Sequence, residues 1–241
     1  MTFFHRTALS ALIASLVVSP CLAAGLSCPA DGLDKDGHGS VLLFSALPLG
    51  KTKFAKQWTK AQKELAKTFP GLRFEKPENL HITLSFDGPG WDPAKIEVRE
   101  KYGLDGPDLS SGPLKMKGVP DLFGGKKEVV ALHMTPVPDE WANRLMKDRQ
   151  TMTDLGLRKH DRFDDVFTAH VSLASAPKPD EQREELARFE KWMSDHASRF
   201  GGLNIPIGRS IKPAYFVVLG KAETTRFVPL REYCAVPPAT R

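Results

Sequence analysis

The sequence is poor in cysteine and in tyrosine, with 3 of each in 241 residues. A small disulfide scaffold, in which bridges stand in for a hydrophobic core, is therefore excluded. No His-Glu-x-x-His and no Cys-x-x-Cys occurs, so the common zinc ligand sets are missing. There is no Gly-x-Ser-x-Gly elbow for a serine nucleophile, and no glycine-rich phosphate loop of the nucleotide-triphosphatase kind. Long apolar runs are lacking as well, apart from Ala8 to Val18, which is too short for a membrane span. That run follows Arg6 and precedes the small residues Ala23 and Ala24, the layout of a secretory leader. Residues 1–24 are therefore expected to be a signal peptide, and the mature protein to be exported, periplasmic or secreted, without membrane attachment.

What is present suits an ordinary globular chain. At 41% hydrophobic residues it can bury a full core, as one large domain or as two lobes. Lys and Arg exceed Asp and Glu by 34 to 29, which suits an anionic ligand and equally a solvated surface. Loss of the leader leaves Cys28 and Cys234 near the ends of the mature chain, and an oxidising compartment makes a disulfide between them the expectation.

Residues 25–40, rich in Gly and Asp, read as a loop, and residues 41–241 as a single bilobal domain. Val41 to Leu47 has the pattern of a strand. From Lys51 to Phe69 the apolar residues Phe54, Trp58, Ala61 and Leu65 fall on one helical stripe, with Thr52 near its start and Pro70-Gly71 beyond its end. Strands are expected over Pro113 to Gly118 and Glu128 to Thr135. A helix is expected from Asp139 to Leu155, with Trp141, Leu145, Met152 and Leu155 inward, and another from Asp180 to Phe200. A hairpin of Ala214 to Leu219 and Arg226 to Leu230 closes the chain. This mixture predicts an α+β fold: two pseudo-symmetric lobes of antiparallel sheet flanked by helices, with a central cleft.

The chain is organised around Leu80-His81-Ile82-Thr83-Leu84 and its twin Ala169-His170-Val171-Ser172-Leu173. In a strand, alternate side chains share a face, so His81 and Thr83 project together while Ile82 and Leu84 enter a core; His170 and Ser172 do likewise. A His-apolar-hydroxyl-apolar pattern should arise by chance roughly 0.1 times in such a chain, and twice in roughly one chain in a hundred. Val41 also stands as far ahead of His81 as Val130 stands ahead of His170, with a strand, a helix and a loop in each interval. Two related lobes, each donating a histidine strand, explain this.

Paired imidazoles can serve as general acid and general base, because their ordinary pKa is close to neutral. A hydroxyl two residues on can donate to a non-bridging phosphate oxygen. The paired motifs resemble the His-x-Thr/Ser motifs of the two-histidine (2H) phosphoesterases, in particular the 2′-5′ RNA ligase-like and cyclic phosphodiesterase branch, and Pro77-Glu78-Asn79-Leu80 is also similar to that branch. The resemblance runs from about Val41 to Leu230. It implies a bilobal α+β fold with a cleft, catalysis without metal or other cofactor, and substrates with 2′,3′-cyclic phosphate or 2′-5′ linkages in nucleotides or RNA ends. By the same resemblance His81 and His170 are the catalytic pair and Thr83 and Ser172 bind the substrate phosphate. Ser172 departs from the commoner Thr.

At equal spacing Phe44 matches His133, so both are candidates for the cleft, although core packing also explains them. Tyr215 is a candidate wall for a base. Lys76, Arg158, Lys159 and Arg162 flank the motif strands and could draw in phosphate. Two rival readings remain: a metal-dependent hydrolase, which EDTA would inactivate, and a non-catalytic nucleotide- or RNA-binding module, which would need neither histidine. A monomer is expected.

Overall fold

The computed structural model describes residues 42–89, 112–123, 128–156, 166–211, 213–219 and 226–229. The leader, the 25–40 loop, Cys28, Cys234, Arg158, Lys159 and Arg162 lie outside the described residues. In chain order the elements are β1 (Leu42–Pro48), α1 (Lys53–Thr68), β2 (Arg73–Phe74), β3 (His81–Pro89), β4 (Leu114–Phe123), β5 (Val129–Thr135), α2 (Asp139–Asp154), β6 (His170–Ser175), α3 (Pro179–Asp195), β7 (Asn204–Ile207), β8 (Ala214–Leu219) and β9 (Arg226–Pro229). The expected α+β class holds, and both sheets are antiparallel. One has four strands in the order β3-β1-β8-β9, the other five in the order β2-β6-β5-β4-β7.

Local chemistry sets the helix α1. The Thr52 hydroxyl oxygen accepts from the Ala55 amide at 3.2 Å, capping the first turn. The stripe Phe54, Trp58, Ala61 and Leu65 is buried as its spacing requires. In α2 the residues Trp141, Leu145 and Met152 go inward, but Leu155 lies past the helix end and is 51% exposed.

Two expected elements have other boundaries. The helix expected to reach Phe200 stops at Asp195, and a 3-10 segment, Ala197–Leu203, follows. Gly201 and Gly202 there adopt φ of 67° and 69°, left-handed backbone that kinks this segment and that glycine adopts freely. The strand expected to end at Gly118 continues to Phe123. Pro120 fits because β7 pairs only with Leu114 to Lys117, so beyond that point β4 has a partner on one side alone among the described residues.

The strand–helix–histidine-strand order repeats, as β1-α1-β3 and β5-α2-β6, but the two lobes are not two consecutive halves. β2, from the first half, is an edge strand of the five-stranded sheet, and β8 and β9, from the end, complete the sheet of β1 and β3. The helices cross in the same way: α1 packs on β2 and β7, and α2 packs on β3. One continuous apolar core underlies both sheets, joining Leu47, Ile82 and Leu84 to Leu132, Val171 and Phe189. Among the described residues no helix is long and apolar enough to cross a membrane.

Candidate active site

Burial along the two histidine strands follows the period of two. His81 and Thr83 are half-buried with Ile82 and Leu84 fully inside; His170 and Ser172 are half-buried with Val171 and Leu173 fully inside. β3 lies against β6, so the structure brings the two motifs together across the junction of the sheets.

The two imidazoles sit in matched settings. His81 Nδ1 is 2.6 Å from the Asn79 carbonyl oxygen, and His170 Nδ1 is 3.0 Å from the Thr168 carbonyl oxygen. A carbonyl can only accept, so each Nδ1 carries a proton and each Nε2 keeps the lone pair or the second, acidic proton. For His81 the acceptor is built by Pro77-Glu78-Asn79. These residues form a 3-10 turn closed by the Leu80 amide on the Pro77 carbonyl, with the Asn79 side chain donating to Glu75 at 2.8 Å. The turn passes so close to Gly50 that a Cβ there would stand 3.1 Å from Glu78 Cα.

Burial dominates the electrostatics of both rings. Phe44 and Phe227 lie 5.1 and 4.9 Å from the His81 ring, centroid to centroid, and Phe216 packs behind Phe44. This enclosure pushes the His81 pKa down to about 4; the Asn79 carbonyl opposes the shift, and the charge of His170 adds to it. His170 is also lowered, first by burial, with the Thr168 carbonyl opposing and the charges of His133 and Arg149 adding. Phe123 stacks on the His170 ring at 4.0 Å.

Each histidine strand carries a β-bulge at the same place. Thr83 pairs with Ala46 and Ser85 with Ser45, leaving Leu84 unopposed; Ser172 pairs with Ala131 and Ala174 with Val130, leaving Leu173 unopposed. A bulge takes its carbonyl out of the regular ladder, and here a residue from the other half of the chain claims it. Arg149 on α2 donates to the Leu84 carbonyl through Nε at 3.1 Å and Nη2 at 2.8 Å. The Glu75 amide, next to β2, donates to the Leu173 carbonyl at 2.8 Å. Glu75 is held in turn, since its own carbonyl accepts from Trp58 Nε1 at 2.7 Å and Gln62 Nε2 at 2.8 Å, both on α1. The strand that carries each histidine is thus tied to the helix of the opposite half. Arg149 is absent from the expectations drawn from sequence; its one signal there is its place on the apolar stripe of α2, between Leu145 and Met152.

The register corrects the match of Phe44 with His133. His170 pairs with His133, but His81 pairs with Pro48, so Pro48 is the positional counterpart of His133. Phe44 does face the His81 ring, within a small apolar cluster with Ala46 and Phe216. Tyr215 pairs with Ser45 and so takes the opposite face from Phe44; the rings against His81 are Phe44 and Phe227. Lys76 is exposed at the start of the 3-10 turn. Among the described residues, no three His, Cys, Asp or Glu side chains converge as metal ligands.

No protein-family model and no curated protein sequence matches the chain. Solved structures do. The protein TT0787 of Thermus thermophilus shares 17% identity over 78% of this chain and 94% of its own, with a TM-score of 0.52. A structure described as a phosphoesterase matches at 17% identity, 79% and 95% coverage and a TM-score of 0.49. E. coli LigT, solved with 3′-AMP, matches at 17% identity, 80% and 96% coverage and a TM-score of 0.48. At this level of identity the likeness is one of fold: the chain shares its overall fold with the Thermus thermophilus protein.

Proposed function

We propose that the protein is a metal-independent phosphodiesterase acting on 2′,3′-cyclic phosphate or 2′-5′ linkages of nucleotides or RNA ends, with His81 and His170 as its acid–base pair. The observation that carries this reading is the matched setting of the two imidazoles. Each donates Nδ1–H to the carbonyl of the residue two before it, which frees Nε2 for proton transfer.

His81, with its pKa lowered to about 4, is unprotonated at neutral pH and suits the base. Its Nε2 removes a proton from water as the water oxygen attacks phosphorus. The bond to the leaving ribose oxygen breaks, and the Nε2 proton of His170 goes to that oxygen. The negative charge of a bound phosphodiester favours the protonated form of His170 that this step requires. Thr83 and Ser172 donate hydrogen bonds to the non-bridging oxygens, where charge builds in the transition state. The starting protonation states return once a proton has moved from His81 to His170 through solvent.

The test is hydrolysis of 2′,3′-cyclic nucleotides and 2′-5′ dinucleotides by wild type, His81→Ala and His170→Ala, with and without EDTA. Each substitution should lower kcat by at least about a hundredfold, and EDTA should leave wild type unchanged. Thr83→Ala and Ser172→Ala should cost less, each removing one hydrogen bond. Full activity in the double histidine variant, or loss of activity in EDTA, would overturn the reading.

A further inference from the structure

The five-stranded sheet has one face on the core, and on its other face the β4 side is exposed. On the core side of β4 and its neighbours lie Met116, Leu132, Met134, Ile205 and Ile207, all buried. On the open side of β4, Lys115, Lys117, Val119 and Asp121 alternate with them and are exposed, Val119 at 48%. Register ties this side to the candidate site. Val119 pairs with His133, and His133 with His170, so these three share one row and one face; Lys117, paired with Thr135, begins the next row. Phe123, farther along the same side of β4, is the ring stacked on His170.

We propose that this open face, from Phe123 and His133 past Val119 to Lys117 and Lys115, is the track for the strand adjoining the scissile phosphate, so that the protein takes the end of a single-stranded oligonucleotide in preference to a free mononucleotide. The inference rests on the phosphodiesterase reading for the position of that phosphate. Three features support it. The strip is continuous with the histidine row. Its two lysines stand about 6–7 Å apart on one side of a strand, two regularly spaced cations for a phosphate backbone. An aromatic ring lies at its inner end, where a base can stack. Its one acidic side chain, Asp121, lies 3.9 Å from His133 Nδ1 and is turned to that ring. A protein partner would need an apolar centre, and Val119 alone supplies little.

Wild type and the Lys115→Glu/Lys117→Glu variant should be compared on two substrates, a 2′,3′-cyclic mononucleotide and a short oligoribonucleotide ending in 2′,3′-cyclic phosphate. Binding of the corresponding 3′-phosphate oligonucleotide should be followed by fluorescence anisotropy over a range of salt. The ratio of kcat/KM for oligonucleotide over mononucleotide should fall about tenfold or more, and the slope of log affinity against log salt should shrink by about 1.4. Both lysines are exposed, so the variant should melt as wild type does. An unchanged ratio and slope would overturn the proposal while leaving the phosphodiesterase reading intact. If neither substrate is cleaved by wild type yet oligonucleotide binding still depends on the two lysines, the track stands and the phosphodiesterase reading fails.

Discussion

Replacing Arg149 by Met tests whether the bulge of β3 is held from across the molecule. The two side chains are close in volume, so little cavity is left. What is lost is a pair of charged donors on the Leu84 carbonyl and the guanidinium stacked 5.3 Å from the centre of the Phe167 ring. A buried carbonyl left unpaired costs about 1–3 kcal/mol, and a partly desolvated cation–π contact adds about 1 kcal/mol. The expected destabilisation is therefore about 2–4 kcal/mol, read as a lower urea midpoint with an unchanged slope. Function should suffer separately. With the bulge released, His81 and Thr83 lose their fixed position relative to His170, and a misplacement near 1 Å costs up to about a hundredfold in rate. The third readout is electrostatic. Burial sets most of the depression of His170, but the Arg149 charge adds to it, so in Arg149→Met the His170 resonances should titrate at higher pH. Arg149→Lys keeps the charge and one donor: it should restore the titration and only part of the stability. A loss under about 1 kcal/mol together with an unmoved His170 titration would refute the anchoring argument.

The depressed His81 pKa makes two further predictions. The unfolded chain binds a proton near pH 6.5 and the folded protein only near about 4, so this contribution to stability is complete above pH 6.5 and is lost as pH falls towards 4. The loss is at most about 3 kcal/mol, and His81→Phe should flatten the fall of the urea midpoint across that window; an equally steep fall would count against it. For the same reason the acidic limb of kcat/KM should lie well below pH 6.5, and a limb at the ordinary imidazole value would show that His81 is not the base. Gly118 faces the core, where an added Cβ would stand 2.9 Å from Leu132 Cβ. Gly118→Ala should therefore cost about 1–3 kcal/mol by overpacking, measured by thermal melting, and an unchanged Tm would contradict the packing of β4 on β5.

The histidine strands were readable because the period of two is local. It alone decides that His81 and Thr83 share a face and that Ile82 and Leu84 go inside. The stripe of α1 was readable for the same reason. Register was not, since it depends on where the chain turns. Equal spacing matched Phe44 with His133, whereas pairing gives that place to Pro48, which lies opposite His81 as His133 lies opposite His170. Nor were the bulges at Leu84 and Leu173, which leave no mark in the pattern of side chains. Arg149 had a faint signal, a charge among Leu145 and Met152 on a buried stripe, where a helix surface would be expected to stay apolar. β2 is two residues long, too short for any periodicity, but an Arg-Phe pair precedes each histidine by the same interval, as Arg73-Phe74 and Arg162-Phe163. That duplication was a sequence trace of the segment that forms β2. The end of α3 at Asp195 was not readable, because the glycine pair Gly201-Gly202 stands beyond it, within the 3-10 segment.

The position of β1 between β3 and β8 bears on how the chain comes to work as it is made. β1 can pair with β3 soon after both are made, but its other edge stays open until β8 follows, more than a hundred residues later. The rings of Phe216 and Phe227 come with β8 and β9, and Phe227 packs edge-on against His81. A nascent chain stopped short of them would display the first histidine motif with the Asn79 carbonyl in place but the imidazole open to water on that side, titrating closer to its ordinary value. The first histidine motif therefore gains its working chemistry from strands made long after it. A chain released before β8 and β9 are made would carry the motif without the tuned base, so interlacing the strands ties the chemistry of His81 to segments far from it in sequence.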